Sequence, residues 1–483
     1  MSLPSSVSLP AEMQLGSLDY SLPPEARSYQ VKVQPSNISS IVSPDIIPTV
    51  SQVGGDYSFP SQQIIFDIPC GSSPSTFLDN RFSTLNFTAT YACGSTTGAV
   101  TTSAYLRSNA NSFFDRMYIT SQNGQILEDI TEYGLVNDLL INFQMNHAVR
   151  TGTAMQYGFD DTNNTTSQGH SISTYTPNTG MAAGDTATYS YSVPILSGLV
   201  GVLADKFLNI GRTSKLQLVL QTSSILPITL TSGATAGSLK VTLSNFSITC
   251  EYVDIGSSAL KMLDQTLINN QAYIHGVSYR VTSNTIPASS SGNISLLAGI
   301  RNSSVKSLFV KYVDNVAVAI TSSVNSKYDG KNPMINNFAF NIGGMRYPSN
   351  PLNPLLLPSQ AFSECEKAVG SFNNAQFQSC IPRVQYCKLS KGGTASGIAS
   401  TVQDANYTAG SLAASQCQFF MGYCLEVVAK RGILSGLNCS SAPIFVENYL
   451  SAASTNAHLV YVMAMIDCIF IHDVSSGDIS VRL

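Results

Sequence analysis

The 483-residue sequence contains no tryptophan, five histidines, and charged residues at only 11%, where about 25% is usual for a globular protein. Each shortage excludes something. Without tryptophan there is no indole face on which a sugar ring commonly stacks, which weighs against a carbohydrate enzyme or lectin and leaves tyrosine as the substitute. His147, His170, His275, His458 and His472 are scattered, and none has a second histidine at metal-ligand spacing. A lone strand histidine such as His275 reads as a packed or hydrogen-bonded residue. The formal net charge is −4, and Arg27 and Lys32 are the only basic residues within positions 1–60. No basic patch or arm is present to displace phosphate counterions, so no direct, sequence-specific nucleic-acid partner is expected.

Catalytic vocabulary is equally thin. The sequence holds no Walker loop, HExxH or GxGxxG. Gly169-His170-Ser171-Ile172-Ser173 lacks the second glycine of a hydrolase elbow and falls in a polar loop. Asp160-Asp161 and Asp115 could supply a carboxylate pair for glycoside hydrolysis, but their neighbours read as solvated loop. The ten cysteines include no CxxC. Cys380 with Cys387 and Cys417 with Cys424 are spaced C-x6-C, wider than the C-x2-4-C pairs that structural zinc favours, so buried free thiols are expected. No enzyme, cofactor or metal follows from this inventory. The start, MSLPSSVSLPAEM, lacks the charged and apolar regions of a secretory signal, which points to synthesis inside the cell with reduced thiols. LVYVMAMIDCIFI (459–471) is short of the roughly 20 residues that span a bilayer and carries Asp467, so it reads as a buried strand.

Serine, threonine, asparagine and glutamine fill the polar positions instead, giving a hydrogen-bonding rather than ionic surface. That suits a protein covered by neighbours, and equally a secreted β-protein with a neutral exterior. The length fits two domains. Residues 1–60, rich in Ser and Pro without sustained periodicity, read as an extended N-terminal arm that would order only against a neighbour. Beyond them the period is two. Leu85, Phe87, Ala89 and Tyr91 alternate with polar residues, as do Leu216, Leu218 and Leu220, then Leu239, Val241 and Leu243, then Phe246, Ile248, Cys250 and Tyr252.

A first unit is expected over 61–257, with a helix at about 129–147 begun by Asp129 and Glu132 as a capping box, and a long polar loop at about 151–188. A second is expected over 258–483, opening on Tyr273, His275, Val277, Tyr279 and Val281. Its helix at about 359–370 has Ser359 as N-cap and Phe362, Cys365 and Val369 on one face, followed by a loop at about 390–411. Strands, helix, long loop and strands thus occur twice. The fold class is all-β: two tandem eight-stranded jelly rolls, each with an inserted α-helix and long polar loops.

Between the second unit's strands and its helix stands NIGGMRYPSNPLNPLLLPSQ (341–360), dense in proline. Proline fixes φ and cannot donate to a ladder, so the strand is expected to stop there and the chain to turn stiffly. Here the sequence resembles the double jelly-roll major capsid proteins of eukaryotic DNA viruses, the virophage and polinton-like branch in particular. The marker is a YP-x-x-P segment leading into a helix that ends KA-x-G: Tyr347, Pro348 and Pro351, then Lys367, Ala368 and Gly370. VPILSGLVGVLADKFLNIGRTSKLQLVLQT (193–222) is similar to another stretch of that family, with Asn209 where proline is frequent. SNFSITCEYVDIG (244–256) and RGILSGLNCSSAPIFVENYL (431–450) with HLVYVMAMIDCIFIHD (458–473) continue the likeness in order.

The resemblance implies a virion protein that self-assembles as a homotrimeric, pseudo-hexagonal capsomer and tiles an icosahedral shell. Its partners would be copies of itself, neighbouring capsomers, and penton and minor cement proteins. Tyr347, Pro348, Pro351, Phe362 and Lys367 are the candidates for the capsomer interface. The rival reading is a β-sandwich receptor-binding or adhesin-type attachment protein, which would be scarce in a particle and bind its glycan or receptor alone.

Overall fold

The computed structural model describes residues 26–42, 61–93, 104–106, 108–159, 171–172, 184–224, 226–230, 239–314, 327–372, 379–381, 386–387, 418–426, 434–453 and 457–482. In the first half, strands β1 (Arg27–Val33), β2 (Ser40–Val42), β3 (Gln63–Ile68), β4 (Thr76–Cys93), β5 (Ala104–Leu106), β6 (Phe114–Ser121) and β7 (Ile126–Thr131) precede three helices. These are α1 (Tyr133–Gln144), α2 (His147–Gly152) and α3 (Ala154–Tyr157). Strands β8 (Ser171–Ile172), β9 (Thr186–Pro194), β10 (Leu216–Thr222), β11 (Ile228–Leu230) and β12 (Leu239–Asp254) complete it.

The linker helix α4 (Gly256–Thr266) leads into β13 (Gln271–Ile286), β14 (Gly292–Ala298), β15 (Val305–Asp314), β16 (Ile335–Ile342) and β17 (Met345–Leu352). Helix α5 (Pro358–Val369) and strands β18 (Phe420–Cys424), β19 (Ile444–Leu450), β20 (His458–Asp473) and β21 (Ile479–Arg482) close the chain.

The first half packs the sheet β1-β12-β4-β9 against β3-β10-β6-β7; the second packs β13-β20-β15-β18 against β14-β19-β16-β17. Counting the eight principal strands of each half, both have the order one-eight-three-six and two-seven-four-five. Each half also places a helix, α1 or α5, after its fifth strand. A small sheet, β11-β5-β8, ties together three connections of the first half.

The alternating residues face the core as their period requires. Leu85, Phe87, Ala89, Tyr91 and Cys93 of β4 are all buried. In β12 the buried set moves from odd positions (Leu239, Val241, Leu243) to even ones (Phe246, Ile248, Cys250, Tyr252). The ladder with β4 shifts register between Ser244 and Ser247, where Asn245 has φ 55°, and this bulge resets which face each side chain meets. One contiguous apolar core runs through both halves.

Three expectations need correction. The arm is not free of structure: Arg27–Val33 pairs along β12 from Asp254 to Ile248, and Ser40–Val42 pairs with the same strand. As an edge strand with one covered face, β1 buries only Val33 fully, too few apolar residues to register as a period. Residues 1–25 and 43–60 lie outside the described residues. Secondly, Asp129 belongs to β7, bonded to Arg116 of β6, and the helix starts at Tyr133 after Glu132 turns through φ 55°, with no side-chain cap. Thirdly, the proline-rich segment does not end the sheet; it forms its edge strand, β17. Parts of the loop at 151–188 and the whole loop at 390–411 lie outside the described residues.

Candidate functional site

The junction begins at Gly343 and Gly344, both with positive φ, which turn β16 into β17. Three regular pairs follow: Ile342 with Met345, Asn341 with Arg346, and Phe340 with Tyr347. The next pair is Phe338 with Leu352, so the segment from Pro348 to Pro351 bulges out of the ladder opposite Ala339. Proline belongs at such a place, because a bulge on an edge strand needs no N–H donor. The Tyr347–Pro348 peptide is cis. Leu356 and Leu357 then donate their amides to Asn353, and α5 opens with Pro358 at its first turn, where a missing N–H costs nothing. Leu357 rather than Ser359 is the N-cap residue, and Gly370 ends the helix in the left-handed region.

The helix buries Ala361, Cys365, Ala368 and Val369. Phe362 packs edge-on against Tyr386, 4.9 Å between centroids, and against Phe143 of α1 at 5.5 Å. It is therefore spent on contact between the two halves of one chain. Tyr347 is half-buried with its ring 6.4 Å from Tyr423, while Pro351 and Lys367 are exposed. Lys367 pairs with Glu364 and lies over the Phe372 ring. The five candidates thus divide between an exposed edge and a buried seam.

That seam was not legible in the sequence, and it holds deeply buried ion pairs. Lys311 of β15 and Asp138 of α1 meet at 2.7 Å with both side chains at 0% exposure. Ser108 donates to the other oxygen of Asp138, and the Lys311 ammonium lies 4.4 Å from the centre of the Phe420 ring. Lys327 bridges Asp115 and Glu132. Burial pulls the Lys327 ammonium down, but the two carboxylates outweigh it and hold its pKa well above the ordinary value. Arg280 donates to the Asp129 carbonyl, Tyr328 to the Ser112 carbonyl and Thr131 to the Val281 carbonyl. In each of these ion pairs the carboxylate comes from the first sandwich and the cation from the second. A lysine in the apolar strand SLFVKYV and an aspartate in the apolar helix VNDLLINF were the available signals.

A second signal is the pentapeptide Ile-Leu-Ser-Gly-Leu, which occurs at 195–199 and again at 433–437, each time between the sixth and seventh strands. In the first copy Ser197 donates to Glu128 at 2.5 Å and the Gly198 amide at 2.9 Å. Burial raises the Glu128 pKa from its ordinary value, against the pull of those donors. A Cβ on Gly198 would sit 2.8 Å from the Val277 carbonyl oxygen, so only glycine lets β13 approach. In the second copy Ser435 bonds both Asp467 and Glu426, which flank Lys306 at 3.4 and 2.9 Å.

The other residues singled out from sequence take ordinary roles. Asp115 is engaged by Lys327 and Ser224, and Ser171 and Ile172 lie in β8; Asp160, Asp161, Gly169, His170 and Ser173 lie outside the described residues. None of the nine described cysteines forms a disulfide, and Cys417 lies outside the described residues. Among the described residues no group of three or more His, Cys, Asp or Glu is placed to hold a metal ion.

Two sandwiches of the same strand order, each with a helix after its fifth strand, define a double jelly roll. Among solved structures, a chain of the Sputnik virophage determined by cryo-EM matches at TM-score 0.54 and 14% identity, over 96% of this chain and 89% of that one. The mavirus major capsid protein matches at TM-score 0.49 and 10% identity, over 100% and 96% of the two chains. The Faustovirus major capsid protein does so at 0.49 and 11%, over 97% and 92%. At such identities the likeness is one of fold. No protein-family model matches the sequence, and no curated protein matches it.

Proposed function

We propose that this chain is a major capsid protein of a DNA virus, structural rather than catalytic, located in the virion. Three copies close into a pseudo-hexagonal capsomer, and capsomers tile an icosahedral shell. One observation carries the reading: a single chain holds two sandwiches of the same topology, joined by a buried seam. Three such chains offer six similar outward units, and six-sided outlines fill a surface without gaps. The weakly charged exterior supports it, since many copies can approach with little repulsion.

The partners are other copies of the chain, with penton and minor cement proteins at the remaining gaps. Within the capsomer, Tyr347, Pro348, Pro351 and Lys367 form a stiff edge that meets a neighbour, while Phe362 holds the helix behind it.

Native mass spectrometry and electron microscopy of the purified chain test this. The expected species has three times the 51.5 kDa mass and a six-sided outline. Replacing Pro348 and Pro351 by glycine is expected to reduce trimers or shells more than it lowers the unfolding midpoint. A chain that stays monomeric at every concentration, or a variant that loses folding and assembly equally, would count against the proposal.

A further inference from the structure

The outer face of the sheet β14-β19-β16-β17 carries an open cleft of about 320 Å³ beside the proline bulge, within the roughly 300–1,000 Å³ of small-molecule sites. We propose that this cleft binds a neutral saccharide. Its polar lining comes from four adjacent strands: Asn293 and Ser295 of β14, Glu447 and Tyr449 of β19, Asn337 of β16 and Arg346 of β17. Strand pairing fixes their spacing, so the groups are ordered before any ligand arrives.

The chemistry narrows the ligand. Arg346 and Glu447 are joined at 2.8 Å, and Asn341 donates to the other carboxylate oxygen, so the pair presents no net charge to attract an ion. The side chains of Asn293, Ser295 and Asn337 are exposed and have no hydrogen-bond partner among the described residues. Carboxamides and a hydroxyl offer donors and acceptors together, as neighbouring hydroxyls of a sugar require. Tyr449, 40% exposed, supplies an aromatic face for the C–H side of a pyranose, the role a tryptophan commonly takes. Pro351, on the bulge, walls one side.

The cleft is open to solvent, so a single site is weak, with a Kd on the order of 1 mM. Because Pro351 also belongs to the edge that meets a neighbour in the capsid reading, the site is one of the unassembled chain and does not rest on that reading.

Saturation-transfer NMR on the intact chain, with the methyl glycosides of galactose, glucose, mannose and N-acetylglucosamine, tests the assignment. Transfer to at least one sugar is expected, weakened about tenfold or more, a loss of roughly 1.4 kcal/mol, in Tyr449→Ala and in Asn293→Ala, and retained in Tyr449→Phe. Unchanged unfolding midpoints identify variants that keep the fold, and Asn293 on the edge strand serves if Tyr449→Ala fails to fold. No transfer to any of the four sugars overturns the proposal, as does transfer that both alanine variants leave intact. A Tyr449→Ala chain that changes its oligomeric state, with no sugar signal in the wild type, would assign the cleft to contact between copies instead.

Discussion

Lys311 has no exposed surface, so its charge depends wholly on Asp138 and the groups around that pair. Removing one partner of a buried pair leaves the other charge stranded, typically at about 3–5 kcal/mol, whereas exchanging both for apolar groups is often neutral. Lys311→Met is therefore expected to lower stability by about that amount in denaturant unfolding, and Lys311→Met with Asp138→Leu to recover most of it. Glu128 gives the pH counterpart. Because burial raises its native pKa, the folded chain holds that proton to a higher pH than the unfolded chain does. Stability is then greatest below the unfolded value and falls as pH rises through the native one. Glu132, raised mainly by burial, adds in the same direction. The unfolding midpoint is expected to fall as pH rises past the unfolded carboxylate value, and to fall less in Glu128→Gln; an equal decline in both would assign the effect elsewhere.

At the scale of elements, legibility followed burial on one face. Strands with a wet side, such as β4 and β10, announced themselves by alternation, because water and core sort their residues one by one. Elements covered all round showed their type, as β20 did by its apolar run, but not their ends. Helix α1 is buried from Tyr133 to Phe143, so no polar face marked its start, and Ile130 of the preceding strand fitted its spacing. The prolines were read correctly as ladder-breaking and wrongly as a stop, since an edge strand tolerates them at a bulge. The cleft left no sequence signal, because its residues come from strands far apart in the chain and only pairing unites them.

For the whole molecule, the duplicated strand order was readable in outline, but the join between the halves was not. That join decides cooperativity. With one core through both sandwiches, a single calorimetric transition is expected. A Cβ on Gly276 would fall inside contact distance of the Gly198 carbonyl oxygen, so Gly276→Ala should cost about 1–3 kcal/mol and lower that midpoint. Two separate transitions in the wild-type chain would show that the sandwiches unfold independently.

The acidic side of the join belongs to one sandwich and the basic side to the other. Two copies meeting first-to-first through these surfaces would set carboxylate against carboxylate, and second-to-second ammonium against ammonium, in a place without water to relieve either. An exchange of halves between molecules would therefore rebuild these pairs only where a first half meets a second.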